Sequence, residues 1–256
     1  MSSGRTARHS LSGIFSSDAK PVWTPPTTVM HKTLPGWFPT TKCPTGLIRY
    51  RLPLMAAGLM HIDTDPQVTA IAPYPVKVGY GRPNEKGDLK KYEHIPDLAV
   101  RMKDGSVVFI DFVPYRISAK SRWYRMREHD LREYFSDLYD CHYSVLDERS
   151  IHAQPLFDNI KTIWSHKAVP NTDLPIRAIR DQLHNLRMPE RLGTLLERLE
   201  PSLSDGAGQP TGDPSQPRSV AFASLMHLVI TGDLEIELDR PISATSIVSR
   251  YGSLHK

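Results

Sequence analysis

A chain of 256 residues with 39% hydrophobic content is long enough to bury one large core or two modest ones, and two domains are expected. Cys43 and Cys141 stand far apart with no metal-ligand spacing, no apolar run approaches the ~20 residues of a membrane span, and the N-terminus lacks a charged-then-apolar leader, so a reduced, cytoplasmic protein with no membrane segment is expected. The formal net charge of +4 permits polyanion binding without demanding it.

Residues 1–45 are rich in Ser, Thr, Pro and basic side chains, with Trp23, Trp37 and Phe38 as scattered aromatics. Such a segment cannot build its own core, and a flexible tail is expected there. Leu47 to Ile62 is an apolar run that reads as helical, with Pro53 suited to a first turn or a kink. Pro73 to Tyr80 alternates like a strand, and Gly81 to Lys91 reads as a polar loop.

The most informative stretch follows, His94 to Pro114, HIPDLAVRMKDGSVVFIDFVP. Its two β-branched, alternating runs flank Lys103-Asp104-Gly105-Ser106, which predicts a β-hairpin. The hairpin would bring Asp97 and Asp111 together at one sheet end. Paired carboxylates of this kind suit a divalent-metal phosphodiesterase, because oxygen ligands hold Mg²⁺ against a scissile phosphate. Asp97 and Asp111 are therefore the candidate catalytic and metal-binding residues. As ordinary strand residues, two like charges on neighbouring strands would repel, unless a metal or a cation lies between them.

Ser118 to Leu138 then reads as an amphipathic helix and Cys141 to Leu146 as a strand, giving a sheet flanked by helices. Lys120, Arg122, Arg125, Arg127 and Arg132, interleaved with Trp123 and Tyr124, form either a solvated face or a DNA phosphate track. His94, His129, His142 and His152 show no paired ligand spacing for zinc. From Pro155 on, helical periodicity takes over: 155–166, 174–186, 189–199 and 219–230, the last ended by Gly232. A Gly, Pro, Ser and Asp stretch over 202–217 reads as a flexible loop, and LEIELDRPISATSIV as a short hairpin. Helices followed by a small β-wing suggest a winged-helix-like module over 170–256, after a nuclease-like domain over 46–165.

The order of these elements resembles the TnsA-type endonuclease subunits of heteromeric cut-and-paste transposons, which belong to the restriction-endonuclease-like superfamily. The resemblance runs from about Leu47 to Val248. It is carried by HIDTDPQVTAIAPYPVKVGY, by HIPDLAV, by LREYF, DERSI and QPLFDNIKTIW in that order, and by the closing LVITGDLEIELDRPIS. It implies an α/β fold, a restriction-endonuclease-like mixed sheet with flanking helices, Mg²⁺ as cofactor, and DNA, a strand-transfer transposase subunit and an ATPase regulator as partners. Asp97 matches the family's PD aspartate and Asp111 its second acidic position.

Two departures stand beside these matches. The family glutamate expected on the preceding helix is absent from Arg51 to Met60, and the lysine expected two residues after the second acid is Val113. Asp63 or Asp65 is a candidate replacement for the glutamate, although Asp65 also suits a turn before Pro66. Lys120 is a candidate replacement for the lysine. Three readings follow. The first is a TnsA-like subunit with weakened or lost cleavage and an architectural or regulatory role; the second is an active Mg²⁺-dependent endonuclease with a rearranged site that cuts the 5′ ends of the element; the third is a simple DNA-binding module.

Overall fold

The computed structural model describes residues 11–29, 33–83, 88–167, 174–204 and 219–252. The chain divides into two compact units. One ends at Ile62 and resumes over Gln67–His152; the other comprises Asp63–Pro66 and the residues from Ala153 on. The division thus falls near Ala153, ahead of the helix that the sequence reading placed in the first domain. Among the described residues no helix is long and apolar enough to cross a membrane.

The first unit contains β1 (Gly36–Pro39), β2 (Leu47–Tyr50), α1 (Pro53–Thr64, whose last two residues fall in the other unit), β3 (Val68–Pro73), β4 (Val78–Pro83) and β5 (Leu89–His94). It continues with β6 (Leu98–Met102), β7 (Val107–Phe112), α2 (Tyr115–Ser118), α3 (Arg122–Tyr139), β8 (His142–Leu146) and α4 (Glu148–Ile151). Four strands form a mixed sheet in the order β3-β6-β7-β8. The β6–β7 hairpin is antiparallel, pairing Leu98 with Ile110 and Arg101 with Val107. Its turn needs Gly105, whose φ of +87° is a left-handed conformation that side chains disfavour. β8 lies parallel to β7, with Asp111 opposite Val145. A parallel neighbour requires a crossover, and α2 and α3 supply it.

Apolar spacing explains how α3 covers the sheet. Leu131 and Phe135, four residues apart, share one face and are fully buried. Phe135 stacks on Phe109 of β7, ring centroids 4.1 Å apart, and on Tyr143 of β8 at 5.7 Å. On α1, Leu54, Met55, Ala57 and Leu59 are buried, and Pro53 occupies the first helical position, where its missing N–H costs nothing. Gly58 permits the close approach of α1 to β7, because a Cβ there would fall 2.1 Å from the Phe112 ring.

Three expectations are corrected in this unit. The apolar run from Leu47 is helical only from Pro53; Leu47–Tyr50 is a strand paired with Gly36–Pro39. That pairing builds the end of the supposed tail into the fold, with Phe38 only 3% exposed. Leu11, Ile14 and Phe15 also pack on the core beneath α3, while residues 1–10 and 30–32 lie outside the described residues. The expected polar loop over 81–91 is largely a two-stranded ribbon, β4 with β5, pairing Val78 with His94 and Pro83 with Leu89. Its strand signal is masked because Leu89, Lys90, Lys91 and Glu93 point to solvent. Arg82 holds the ribbon to α3 through Asp130, Nε to Oδ2 2.7 Å.

The second unit contains α5 (Leu156–Ser165), α6 (Ile176–His184), β9 (Glu190–Arg191), α7 (Leu192–Ser204), α8 (Val220–Thr231), β10 (Leu234–Ile236) and β11 (Ile247–Arg250). Its three short strands are antiparallel in the order β10-β11-β9. α8 is its central element. Ser219 caps it by accepting from Phe222 N at 3.0 Å, and Gly232 at φ +77° ends it. Seven of its residues are buried, among them Leu225, Met226 and Leu228. The loop expected over 202–217 falls outside the described residues from 205 on, and 202–204 complete α7. Asn159 on α5 is 3% exposed and fully satisfied: Nδ2 donates to Leu238 O and Arg240 O, and Oδ1 accepts from Ile242 N. One buried amide thus fixes the course of the chain between β10 and β11.

Candidate functional site

The hairpin brings Asp97 and Asp111 together as its register requires, immediately before β6 and at the penultimate position of β7. Both are buried, at 3% and 2% exposure. Asp97 N donates to Asp111 Oδ1 at 3.1 Å, and Phe112 N donates to Asp97 Oδ2 at 2.8 Å. Tyr74, at the end of β3 with φ 45°, donates its N–H to Asp97 O at 3.0 Å and closes one side of the site.

What surrounds the two acids is cationic. Arg51, in the two-residue link between β2 and α1, grips Asp97 with a two-pronged bond, Nε to Oδ1 2.6 Å and Nη2 to Oδ2 2.7 Å. The same Nη2 donates to Phe112 O at 2.7 Å. Planar guanidinium-to-carboxylate pairing of this kind is the strong form of the ion pair. Asp111 Oδ2 accepts from Tyr143 Oη at 2.5 Å and lies 2.7 Å from His94 Nε2 and 3.4 Å from Arg127 Nη2. Arg127 is itself held against the rings of Tyr124 and Trp123, 4.7 and 5.2 Å from their centroids.

The electrostatics follow from burial set against these partners. Burial raises the pKa of the Asp111 carboxyl, but the His94 hydrogen bond and charge, the Arg127 charge and the Tyr143 hydroxyl outweigh it, and the net shift is downward. At Asp97, burial and the neighbouring Asp111 charge push upward against the pull of Arg51. Every polar contact to the Asp97 oxygens comes from a donor, two guanidinium N–H groups and one backbone N–H. The net shift at Asp97 is upward, although three donors and no acceptor face its oxygens, an arrangement that suits the carboxylate. Arg51 is correspondingly held in its charged form: burial works against the charge, and the Asp97 bond and the two aspartate charges override it. Tyr143 is held protonated by burial and by the Asp111 charge it faces.

A Mg²⁺ ion does not fit this donor set. Both oxygens of Asp97 and both of Asp111 already accept hydrogen bonds from protein donors. A cation bound by both acids would also stand beside the Arg51 charge, which opposes it. Among the described residues no group of three or more His, Cys, Asp or Glu is arranged to hold a metal ion.

The other expected site residues fall elsewhere. Val113 is 5% exposed and packed in the core, its N–H bonded to Leu146 O. Lys120 is exposed, and the cations that reach the acids are Arg51, Arg127 and His94 instead. Asp63 belongs to the second unit, where Lys167 Nζ at 2.6 Å and Trp164 Nε1 at 3.0 Å engage its Oδ2. Asp65 precedes the turn at Pro66. Of the basic stripe, Arg122, Arg125 and Arg132 are exposed, Arg132 pairing with Glu128 at 2.6 Å. Arg127 is corrected: it turns inward, 12% exposed, toward Asp111. In the sequence Arg51 marks only the absence of the expected glutamate, and no local pattern singles out Tyr143. The available signal was positional, since Tyr143 lies two residues before the residue opposite Asp111 on β8.

No protein-family model matches the chain, and no curated protein is similar to it.

Proposed function

We propose that this chain is a TnsA-like subunit of a heteromeric DNA transposition machinery that has lost metal-dependent cleavage and serves as an architectural, DNA- and transposase-binding part. The observation that carries the loss of cleavage is the Arg51 fork on Asp97. A fixed guanidinium holds the carboxylate a metal would need, and Val113 provides no cation to stabilise a pentavalent phosphate. The inward side chains of His94, Arg127 and Tyr143 complete a closed ionic network in place of an open coordination site.

Two features support the family resemblance. In the first unit, a helix precedes a sheet of three antiparallel strands, interrupted after the first by the β4–β5 ribbon, and a helical crossover leads to a parallel fourth strand, with one acid at the start and the other near the end of the central hairpin. In the second, the order α6-β9-α7-α8-β10-β11 with sheet order β10-β11-β9 suits a winged-helix-like module. In that module α8 would hold the position of a recognition helix, yet it carries no Lys or Arg and is largely buried. The DNA surface is therefore assigned to the exposed cations of α3 and the segment before it, and the second unit to a protein partner.

The test is cleavage and binding on the same preparation. Incubation with Mg²⁺ or Mn²⁺ is expected to leave labelled duplex DNA uncut while the protein binds it with a steep salt dependence. Nicking that disappears in Asp111→Ala would overturn the loss of cleavage, and absence of DNA binding at low salt would overturn the architectural role.

A further inference from the structure

The segment joining the sheet to α3 combines charge with exposed rings. Residues 115–127, YRISAKSRWYRMR, contain Arg116, Lys120, Arg122, Arg125 and Arg127 and no acidic residue. Over the same stretch Tyr115, Ile117, Trp123 and Met126 are 43, 37, 41 and 38% exposed. Four large apolar side chains left in water over thirteen residues mark this segment as a candidate contact site. The charge around them selects a polyanion as the occupant. Acids around the segment are already engaged: Asp111 by Arg127, His94 and Tyr143, Glu148 by Tyr115 N, Asp147 by Arg149, and Glu128 by Arg132.

Both exposed aromatic rings carry an arginine on one side. The Arg149 guanidinium lies 4.0 Å from the centre of the Tyr115 ring, and that of Arg127 lies 5.2 Å from Trp123. Tyr124 meets Trp123 edge-on at 5.0 Å and further fixes it. Arg125 Nη1 donates to Ala119 O at 2.9 Å, which ties the segment after α2 to α3. The rings are thus held in place by cations while much of their surface stays open to water. Duplex DNA offers phosphates to such a surface but keeps its base faces stacked inside. A single strand offers both phosphates and base faces, and stacking on an aromatic ring tolerates any sequence.

Resting on the DNA-binding role proposed above, we infer that the surface built from Tyr115, Trp123 and the cations Arg116, Lys120, Arg122 and Arg125 binds single-stranded DNA, with bases stacked on Trp123 and Tyr115. In a transposition complex this is the chemistry that would hold melted or flanking strands at an element end.

The test uses the full chain and two fluorescent probes, an oligothymidylate of about 16 nucleotides, within the range of strand-tracking sites, and a duplex of equal length. Fluorescence anisotropy is expected to show tighter binding to the single strand. Trp123→Ala is expected to weaken single-strand binding roughly tenfold and duplex binding less than twofold, since a stacked base is lost only from the former. Trp123→Phe, which keeps a ring, should recover most of the difference. A double Arg122→Ala, Arg125→Ala variant should weaken both probes and flatten the salt dependence. Equal affinity for the two probes, or a Trp123→Ala variant with unchanged single-strand affinity, overturns the stacking site while leaving duplex binding intact. Binding of neither probe overturns the DNA-binding role itself and turns this surface over to an acidic protein partner.

Discussion

Replacing Arg51 by alanine removes both guanidinium bonds to Asp97 and one to Phe112 O, and leaves a carboxylate that is 3% exposed with a single backbone N–H as donor. Breaking one side of a buried ion pair typically costs 3–5 kcal/mol, because the remaining charge is left uncompensated. The Arg51 side chain is 25% exposed, so water can enter the space it vacates, and the lower end applies. A loss of about 3 kcal/mol is expected at neutral pH. Urea unfolding at pH 7 measures it, and amide hydrogen exchange localises it, with the Phe112 amide expected to lose protection first. The second variant, Arg51→Met with Asp97→Asn, removes the charge along with its partner and is expected to recover most of the loss. Divalent Mn²⁺ should raise the melting temperature of Arg51→Ala and leave the wild type unchanged, since only the variant frees the Asp97 carboxylate from its guanidinium. A destabilisation below about 1 kcal/mol, typical of an exposed pair, or equal Mn²⁺ responses in the two proteins, would refute the view that Arg51 stands where a metal would otherwise be needed.

Phe135→Ala removes a fully buried ring stacked between Phe109 and Tyr143 and should cost about 3–5 kcal/mol in chemical denaturation; a loss under 1 kcal/mol would mean that α3 does not hold the sheet as described. Asn159→Ala strands Leu238 O, Arg240 O and Ile242 N together, so a loss of about 2–4 kcal/mol and faster exchange of the Ile242 amide are expected; an unchanged exchange rate would refute the pinning role. His61 and His227 are held below the ordinary histidine value chiefly by burial, which disfavours the charged ring. Their folded pKa values are depressed, so the stability they contribute is complete above the unfolded value of about 6.5 and is lost as pH falls through the folded values. Stability should therefore decline from pH 7 toward pH 5, and His61→Gln should flatten part of that slope; an identical slope would refute the assignment.

The elements most legible in the sequence are those whose signal is local. The β6–β7 hairpin has alternating β-branched residues around an Asp-Gly turn, and α8 has a serine cap, an apolar body and a closing glycine, so both lie where the pattern puts them. The β4–β5 ribbon was hidden because its second strand places Lys and Glu in water, and β2 because an apolar strand leads directly into an apolar helix. At the site, Asp97 and Asp111 were legible because one hairpin carries both. Their partners were not, because Arg51, Arg127 and Tyr143 come from three other places in the chain, and His94, though only three residues before Asp97, meets Asp111 only in the folded sheet.

Independently of any metal, the two aspartates have a structural role. Asp97 closes a ring of bonds with Arg51 and both backbone groups of Phe112, fixing the link between β2 and α1 to the end of β7. Asp111 does the same for the Asp97 backbone, for His94 at the end of β5, for Arg127 on α3 and for Tyr143 on β8. Each acid is thus the centre of a cross-link, and removing either would leave buried cations or donors without acceptors. Paired carboxylates at such a position do not by themselves indicate catalysis. The diagnostic lies in what faces them: a space lined by acids calls for a metal ion, whereas one filled by a guanidinium fork needs none.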